Sequence, residues 1–540
     1  MKLSDSKHSD DAFDYVIVGA GAAGSVLANR LSEDPNNRVL LLEYGGRDWN
    51  PIIYVPKGFF FTLRGERYAY QYPTQPVGPD GKLDVWQRGK VLGGSTAVNG
   101  EIWNRGAAAD WDGLAERGNP AFSWERALAA YRTMEDHSLG ASEMRGAGGP
   151  LGVSVVEDHD EVDQAILAAA QDMGWEYVAD TNASDSERIG FTPSTISHGV
   201  RNSAYSAFVR PVRGRRNLTV VTHTRAGHLL FDGDRVVGVR AAKGAQAIEY
   251  RARKEVILSA GTIETPLLLE RSGIGHPDVL RGAGVDMRVK SPNVGQRVIE
   301  QRVLNFQVRL KGDIGLTHKL NTLPRQAWEG FKYLLTRDGP IGAPSFDLLA
   351  QFKSSPDVDR PDIQGVFAPL ALDPSGPNLK LAKHSGVLFT AYQKRPTTTS
   401  SIHLGGRLPE NTPIIDAHYL EEDVDRKATG AALGIARELF AKSPLADYVV
   451  EEDFPGRAVS TVDDVARYAL DSGEIAYHAV GSSAMGPNSD DVVDPHLRVR
   501  GVDGLRVVDA SVLPVQVAGN TQAPAMAVAW ITADLIREDS

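Results

Sequence analysis

The apolar positions of this chain change period several times, and the changes outline its elements. Residues 15–18 (Tyr-Val-Ile-Val) form an unbroken run of aromatic and β-branched type, the pattern of a strand buried on both faces. From Ser25 to Leu31 apolar residues recur at helical spacing, and after the polar turn Glu33-Asp34-Pro35-Asn36-Asn37 a second buried strand follows at 39–42. Residues 1–11 are polar and are expected to be unstructured. Prolines at 51, 56, 73, 76 and 79 predict a long irregular region after Gly45-Gly46. Trp111, Leu114, Trp124, Leu128 and Tyr131 lie on an apolar stripe that predicts a helix over 110–135, and 162–173 predicts another, ended by Gly174. Strands are expected at 218–221 and 235–239, the second preceded by a turn at Asp232-Gly233, and at 255–261. Between 311 and 475 short strand-like pieces (366–367, 386–392, 401–404) alternate with prolines, and 424–440 is an amphipathic helix; this stretch reads as a separate, largely antiparallel domain. The last 65 residues resume the pattern of the amino-terminal part, with a buried strand at 505–509 and a helix at 523–536.

Between the first strand and the first helix stands Gly19-Ala20-Gly21-Ala22-Ala23-Gly24, a G-x-G-x-x-G pattern, and Glu43 closes the second strand 19 positions after the third glycine. Each glycine has a reason: Gly19 permits the tight turn, Gly21 lets the backbone approach a pyrophosphate, and Gly24 lets helix and strand pack closely. The free N–H groups of the helix start face the phosphates, and an acid at Glu43 accepts hydrogen bonds from a ribose diol. Within a β-turn-α-β unit the pattern is a dinucleotide site; alone it does not choose between NAD and FAD. A second glycine-rich stretch runs from Trp86 to Arg105, with Gly93-Gly94-Ser95-Thr96 at its centre. It offers bare amides and two hydroxyls, as an anion nest requires, although a plain turn before a helix has the same composition. Phe59-Phe60-Phe61, Tyr68, Tyr70 and Tyr72 either cover a cofactor or fill space under a loop.

The 540 residues exceed one ordinary core, so two or three domains are expected. A formal charge of −11 argues against nucleic acid as a partner, because phosphate binding needs a basic face. Cysteine is absent, which excludes disulfides, thiolate metal sites, iron–sulfur clusters and a catalytic thiol. No cluster has metal-ligand spacing. The residues before the first strand are acidic rather than basic, which argues against a signal peptide, and no run approaches ~18 apolar residues, so no membrane span and a cytoplasmic location are expected.

Five segments together resemble the glucose–methanol–choline (GMC) family of flavin oxidoreductases, in the family's order across roughly residues 13–536. They are the opening β-turn-α-β; the loop from Arg88 to Arg105; Gly261-Thr262-Ile263-Glu264-Thr265-Pro266 running on to Ser272-Gly273-Ile274-Gly275; Tyr477-His478-Ala479-Val480-Gly481-Ser482 with Gly504 to Ser511; and Gly519-Asn520-Thr521. The resemblance implies an α/β fold: a Rossmann-like FAD-binding domain, discontinuous in sequence (12–155, 208–310 and 476–540), and an α+β substrate domain with a mainly antiparallel sheet (156–207 and 311–475). It carries over Gly19, Ala20, Gly21, Gly24 and Glu43 to the ADP half of FAD. Val91, Gly93, Gly94, Ser95, Asn99 and Gly100 go to the ring and pyrophosphate, and Ala226 to the adenine. Asp509 and Ala510 go to the pyrophosphate and ribityl chain, Thr521 and Gln522 to the flavin ring.

By the same resemblance, His478 and Asn520 are the active pair. A neutral imidazole, with an ordinary pKa near ~6.5, suits removal of a hydroxyl proton, and Asn520 suits a hydrogen bond to the substrate oxygen. The expected reaction is FAD-dependent oxidation of an alcohol, a primary one, to the aldehyde, with oxygen or another electron acceptor completing the cycle in a monomer or homodimer. His223, His228, His403 and His496 have no such support and read as structural.

Three features depart from the family pattern. Val98 stands where members with covalently attached flavin carry histidine, so non-covalent FAD is expected. Residues 293–301 replace the usual Gly-Val-Gly-x-Asn-Leu-x-Asp-His, so that Arg297, Glu300 and Gln301 alter the expected substrate entrance. Ser482 replaces a common threonine. Rival readings are a redox-silent lyase similar to the family's hydroxynitrile lyases, a non-catalytic flavin-binding protein, and an NAD-dependent dehydrogenase, which leaves the later four segments unexplained.

Overall fold

The computed structural model describes residues 7–8, 12–156, 160–373, 380–517 and 519–539. The first sheet is built where the sequence is most continuously apolar. Phe13–Val18 and Val39–Leu42 are buried at every position and pair in parallel, with Leu218–Val221 alongside Val39–Leu42. Their second neighbour, the long strand Gln246–Leu258, serves two layers. Its first half pairs antiparallel with Arg235–Lys243, which pairs in turn with Arg225–Asp232. Its apolar end enters the parallel sheet between Phe13–Val18 and Leu505–Val507. A strand from near each end of the chain thus flanks one strand from its middle.

Helix Ala22–Leu31 packs against helix Gln522–Glu538, where the Arg30 and Asp534 side chains pair at 2.6 Å. These contacts join the last segment to the first sheet and its helix. Of the polar start, only Lys7–His8 is described, as two strand residues pairing with Ile248 and Glu249; the expectation for the rest of 1–11 lies outside the described residues.

The second sheet has seven strands in the order Val449–Phe454, Leu304–Leu310, Gly386–Gln393, Ile363–Ala368, Leu348–Phe352, Arg188–Phe191, Glu176–Tyr177. Every pair is antiparallel except the last. Period-two alternation gives each face its task. In Gly386–Gln393, Val387, Phe389 and Ala391 join a core with Phe306, Phe352, Phe367 and Phe440, capped by helices Glu161–Asp172 and Asp423–Phe440. The alternate residues Leu388, Thr390 and Tyr392 face a large cavity between this sheet and the first.

Three expectations need correction. Leu304–Leu310, assigned by the boundary at 310 to the first domain, is an inner strand of the second sheet. The helix over 110–135 is two, Ala108–Glu116 and Trp124–Met134, because Asn119-Pro120 interrupts the turn. The region after Gly46 is not wholly irregular: Ala69–Val77 and Lys82–Gly89 form a hairpin, and Pro73 and Pro76 are accommodated by a register shift between them. Among the described residues no helix is long and apolar enough to cross a membrane.

Candidate active site

A cavity of about 810 Å³ runs from the first glycine turn to the loop of His478. Its nucleotide-like end follows from the glycines. A Cβ on Gly24 would meet the Gly19 carbonyl oxygen at 1.9 Å, and one on Gly19 would meet the Ser259 oxygen at 2.3 Å, so both are close-packing positions. A Cβ on Gly21 would meet nothing within 4 Å, because Gly21 faces the cavity at the start of a helix that no side chain caps. Open space at an uncapped helix N-terminus is what a phosphate requires. Glu43 lies buried beside it, accepting from the N–H of Ala20 (3.0 Å) and Gly45 (2.7 Å); burial raises its pKa to about 7 against the pull of these donors. The glycine cradle, helix start and buried acceptor fit the ADP half of FAD.

The other expected cofactor residues divide in two. Gly19, Gly21, Glu43, Gly94, Ser95, Asn99, Gly100, Ala226, Asp509, Ala510, Thr521 and Gln522 line the cavity. Ala20, Gly24, Val91 and Gly93 lie behind its wall: Ala20 accepts from the Gly93 N–H at 2.9 Å, and Val91 is buried with Ile53, Ala97 and Val98. Asp509 turns its carboxylate to the Gly261 N–H and the Thr265 hydroxyl, fixing the start of helix Gly261–Arg271. Asn99 donates to Gln522 Oε1 across the two ends of the chain and accepts from Arg201 Nη1 at 2.8 Å. Of the loop aromatics, Phe59, Phe60, Tyr70 and Tyr72 line the cavity, whereas Tyr68 packs under the loop and Phe61 is 73% exposed.

At the far end His478 and Asn520 meet, with 3.0 Å between Asn520 Nδ2 and His478 Nε2. The His478 backbone is clamped from both sides. The Glu300 carboxylate accepts from the N–H of His478 and Ala479, both at 2.9 Å, and Gln516 donates to the His478 carbonyl at 2.6 Å. Glu300 is itself fully buried, its pKa raised by burial against Arg88 at 3.4 Å and three backbone donors. Gln301 Oε1 stands 2.8 Å from His478 Nδ1, and Gln301 Nε2 donates to the Lys394 carbonyl at 3.0 Å. On the other side Gln364 Nε2 donates to Asn520 Oδ1 at 2.8 Å, and Asn104 Nδ2 donates to Gln364 Oε1 at 2.6 Å.

Every amide in this relay has both ends occupied, so the orientation of each is fixed by the next. The outcome at the imidazole is one tautomer: Nδ1 carries the proton toward Gln301, and Nε2 keeps its lone pair. Burial, helped by the Arg88 charge, pushes the His478 pKa down to about 3, so the ring is neutral across ordinary pH.

Glu300 and Gln301, expected to alter a substrate entrance, lie behind the cavity lining and grip the histidine loop. Arg297 does lie outside, half exposed, paired with Asp490 at 3.0 Å. Sequence reasoning missed Gln364 and Arg201, which come from distant segments and carry no local signature, and gave no role to Asn104, which lies within the Arg88–Arg105 stretch. The Glu300-Gln301 departure was the one visible signal.

Two GMC oxidoreductase models match the chain, over residues 13–303 and 396–529. The chain belongs to the GMC oxidoreductase family. It is 35% identical to the mitochondrial choline dehydrogenase of Homo sapiens over 99% of this chain and 91% of that one. It is 33% identical to an alcohol dehydrogenase (acceptor) of Pseudomonas putida over 97% and 95%. Among solved structures, pyridoxine 4-oxidase from Mesorbium loti superposes with a TM-score of 0.88 at 28% identity, covering 97% of this chain and 99% of that one. A formate oxidase superposes at 0.90 with 26% identity, covering 99% of both chains. This GMC oxidoreductase is thus an enzyme acting on CH–OH donors, in a family that binds FAD.

Proposed function

We propose that this enzyme oxidises a small alcohol, a primary one, to the aldehyde, with His478 as the base that takes the hydroxyl proton. The observation that carries the reading is the setting of His478 between Gln301 Oε1, 2.8 Å from Nδ1, and Asn520 Nδ2, 3.0 Å from Nε2, at the cavity end opposite the glycine cradle. FAD, when bound, supplies the hydride acceptor for the carbinol carbon. The residues placed to hold it are Gly19, Gly21 and Glu43 at one end, and Gly94, Ser95, Asn99, Gly100, Thr521 and Gln522 toward the other.

His478 does two things in this reading. The substrate hydroxyl takes over the Nε2 lone pair from the Asn520 N–H, which turns to the substrate oxygen, and His478 takes the proton as the carbinol C–H weakens, an effect of about 10²–10⁴-fold for a positioned base. Asn520 shares the substrate oxygen and keeps the carbinol in line. The second-sheet residues Leu388, Thr390 and Tyr392 bound the space for the rest of the substrate. Attachment of FAD is taken to be non-covalent: Val98, buried with Ile53, Val91 and Ala97, has no nucleophile to form a bond.

Anaerobic mixing with a panel of alcohols tests the proposal. At least one alcohol should bleach the flavin colour, and His478→Ala should slow that bleaching by about 10²–10⁴-fold with flavin still bound. Colour that persists with every alcohol would point instead to a redox-silent lyase or a binding protein. Native bleaching rates in His478→Ala would remove the histidine from the reaction.

A further inference from the structure

One helix turns its apolar side to solvent. In Leu323–Thr336 the side chains of Leu323, Trp328, Phe331, Leu334 and Leu335 are 81%, 63%, 55%, 68% and 69% exposed, and Tyr333 alone is buried. With 3.6 residues per turn, those five fall with Ala327 in one sector of about 140°, and Tyr333 lies on the other side. A surface helix of a globular domain has the opposite arrangement, and a contiguous exposed apolar face marks an interaction site. Tyr333 ties the helix to the body by donating to the Gly199 carbonyl at 2.9 Å.

Charge identifies what the face meets. The chain as a whole carries −11, yet the helix itself holds Arg325 and Lys332 against the single acid Glu329; beyond it Arg337 is followed by Asp338, and Lys319 before it is paired with Asp160 at 3.6 Å. Arg325 and Lys332 fall along one border of the apolar sector and are exposed. Leucine and aromatic side chains rimmed by cations suit a helix lying in the plane of an anionic lipid surface. A second copy of the chain would bring two rims of like charge together. The location adds a reason. The helix packs on the short helix Thr317–Leu320, whose preceding residue Leu316 joins a cluster with the cavity-lining Ala368, Leu370 and Leu388, so one intervening turn separates the exposed face from the cavity's apolar wall.

We propose that Leu323–Thr336 is an in-plane anchor that docks this enzyme on an anionic bilayer and sets the apolar side of its cavity next to the lipid. The absence of a spanning run does not bear on this, because an interfacial helix need not be long or uniformly apolar.

Flotation of the FAD-loaded, full-length protein tests the proposal, with vesicles of phosphatidylcholine alone or mixed with phosphatidylglycerol. The protein should float with the mixed vesicles, bind the neutral ones at least ten-fold more weakly, and be released by raised salt. Trp328→Glu should abolish flotation while leaving oxidation of a water-soluble alcohol unchanged. Arg325→Glu with Lys332→Glu, which leaves the apolar sector intact, should weaken it at least ten-fold and guards against a folding defect in the first variant. Failure of the native protein to float with mixed vesicles overturns the proposal. So does a native dimer that Trp328→Glu converts to monomer without any vesicle binding, since the face then belongs to a second copy.

Discussion

Replacing Gln301 by methionine keeps the side-chain volume nearly constant and removes the acceptor of the His478 Nδ1 proton. In the native protein Gln301 Oε1 lies 2.8 Å from that nitrogen, and the amide cannot flip without turning its oxygen onto the Lys394 carbonyl, 3.0 Å from Nε2. The variant leaves a buried N–H without a partner, which costs about 1–3 kcal/mol. The imidazole can escape this by moving its proton to Nε2, where it is useless as a base. Asn520 opposes the escape, because its own N–H faces Nε2 at 3.0 Å and Gln364 prevents it from turning over. The two effects partly cancel, leaving about one hydrogen bond's net worth, ~1–1.5 kcal/mol. At 1.36 kcal/mol per factor of ten, flavin reduction should slow by roughly 10-fold.

Anaerobic stopped-flow bleaching with one alcohol reads the rate, and the flavin-to-protein absorbance ratio reads cofactor content. Gln301→Glu supplies the control. It restores an acceptor and adds a negative charge, but sets its second oxygen against the Lys394 carbonyl, so it should recover part of the rate and raise the pH of the acid limb, a change that a merely loosened loop would not produce. Native reduction rates in Gln301→Met would refute the claim that this amide sets the tautomer.

Other outcomes follow from the same geometry. Gly21→Val should fold with near-native thermal stability yet lose its flavin colour, since its side chain would project into open cavity, whereas Gly24→Ala should lower Tm because its Cβ would meet the Gly19 oxygen at 1.9 Å. Denaturation in acid or detergent should release all yellow colour into the supernatant, as Val98 has no group for a flavin bond; colour that stays with the precipitate would exclude non-covalent FAD. His478 has a folded pKa near 3 against ~6.5 unfolded, so below pH 6.5 the unfolded chain binds a proton that the folded one refuses. Its contribution to stability is present above pH 6.5 and is lost as pH falls from 6.5 toward 3, by about 1.4 kcal/mol per pH unit. Denaturant titrations at pH 6.5 and 4.5 should therefore show His478→Gln losing about 2–3 kcal/mol less stability than the native enzyme.

What could be read from the chain, and what could not, divides by the range of the interaction. Gly19, Gly21, Gly24 and Glu43 were legible because one contiguous β-turn-α-β unit fixes their mutual positions, so spacing alone carries the geometry. Strand and helix positions around 386–393 and 424–440 were legible because burial on one face imposes a period. The helix over 110–135 was misjudged where apolar spacing continued across Asn119-Pro120, a break set by backbone sterics rather than by hydrophobicity. The boundary near 310 was misplaced because Leu304–Leu310 is an apolar strand that either sheet would accept, and only its partners Gly386–Gln393 and Val449–Phe454 decide. The relay Asn104–Gln364–Asn520–His478–Gln301 draws on five segments; Asn520 and His478 stand in motifs, but the connecting amides Asn104, Gln364 and Gln301 show their part only once their neighbours are known. The sequence did show one irregularity there, Glu300-Gln301: expected to change the substrate entrance, these two side chains hydrogen-bond the His478 segment. Supports of this kind are the part of an active site that a motif conveys least, because their chemistry lies in which end of an amide faces which atom, and that is decided only after the whole chain has folded.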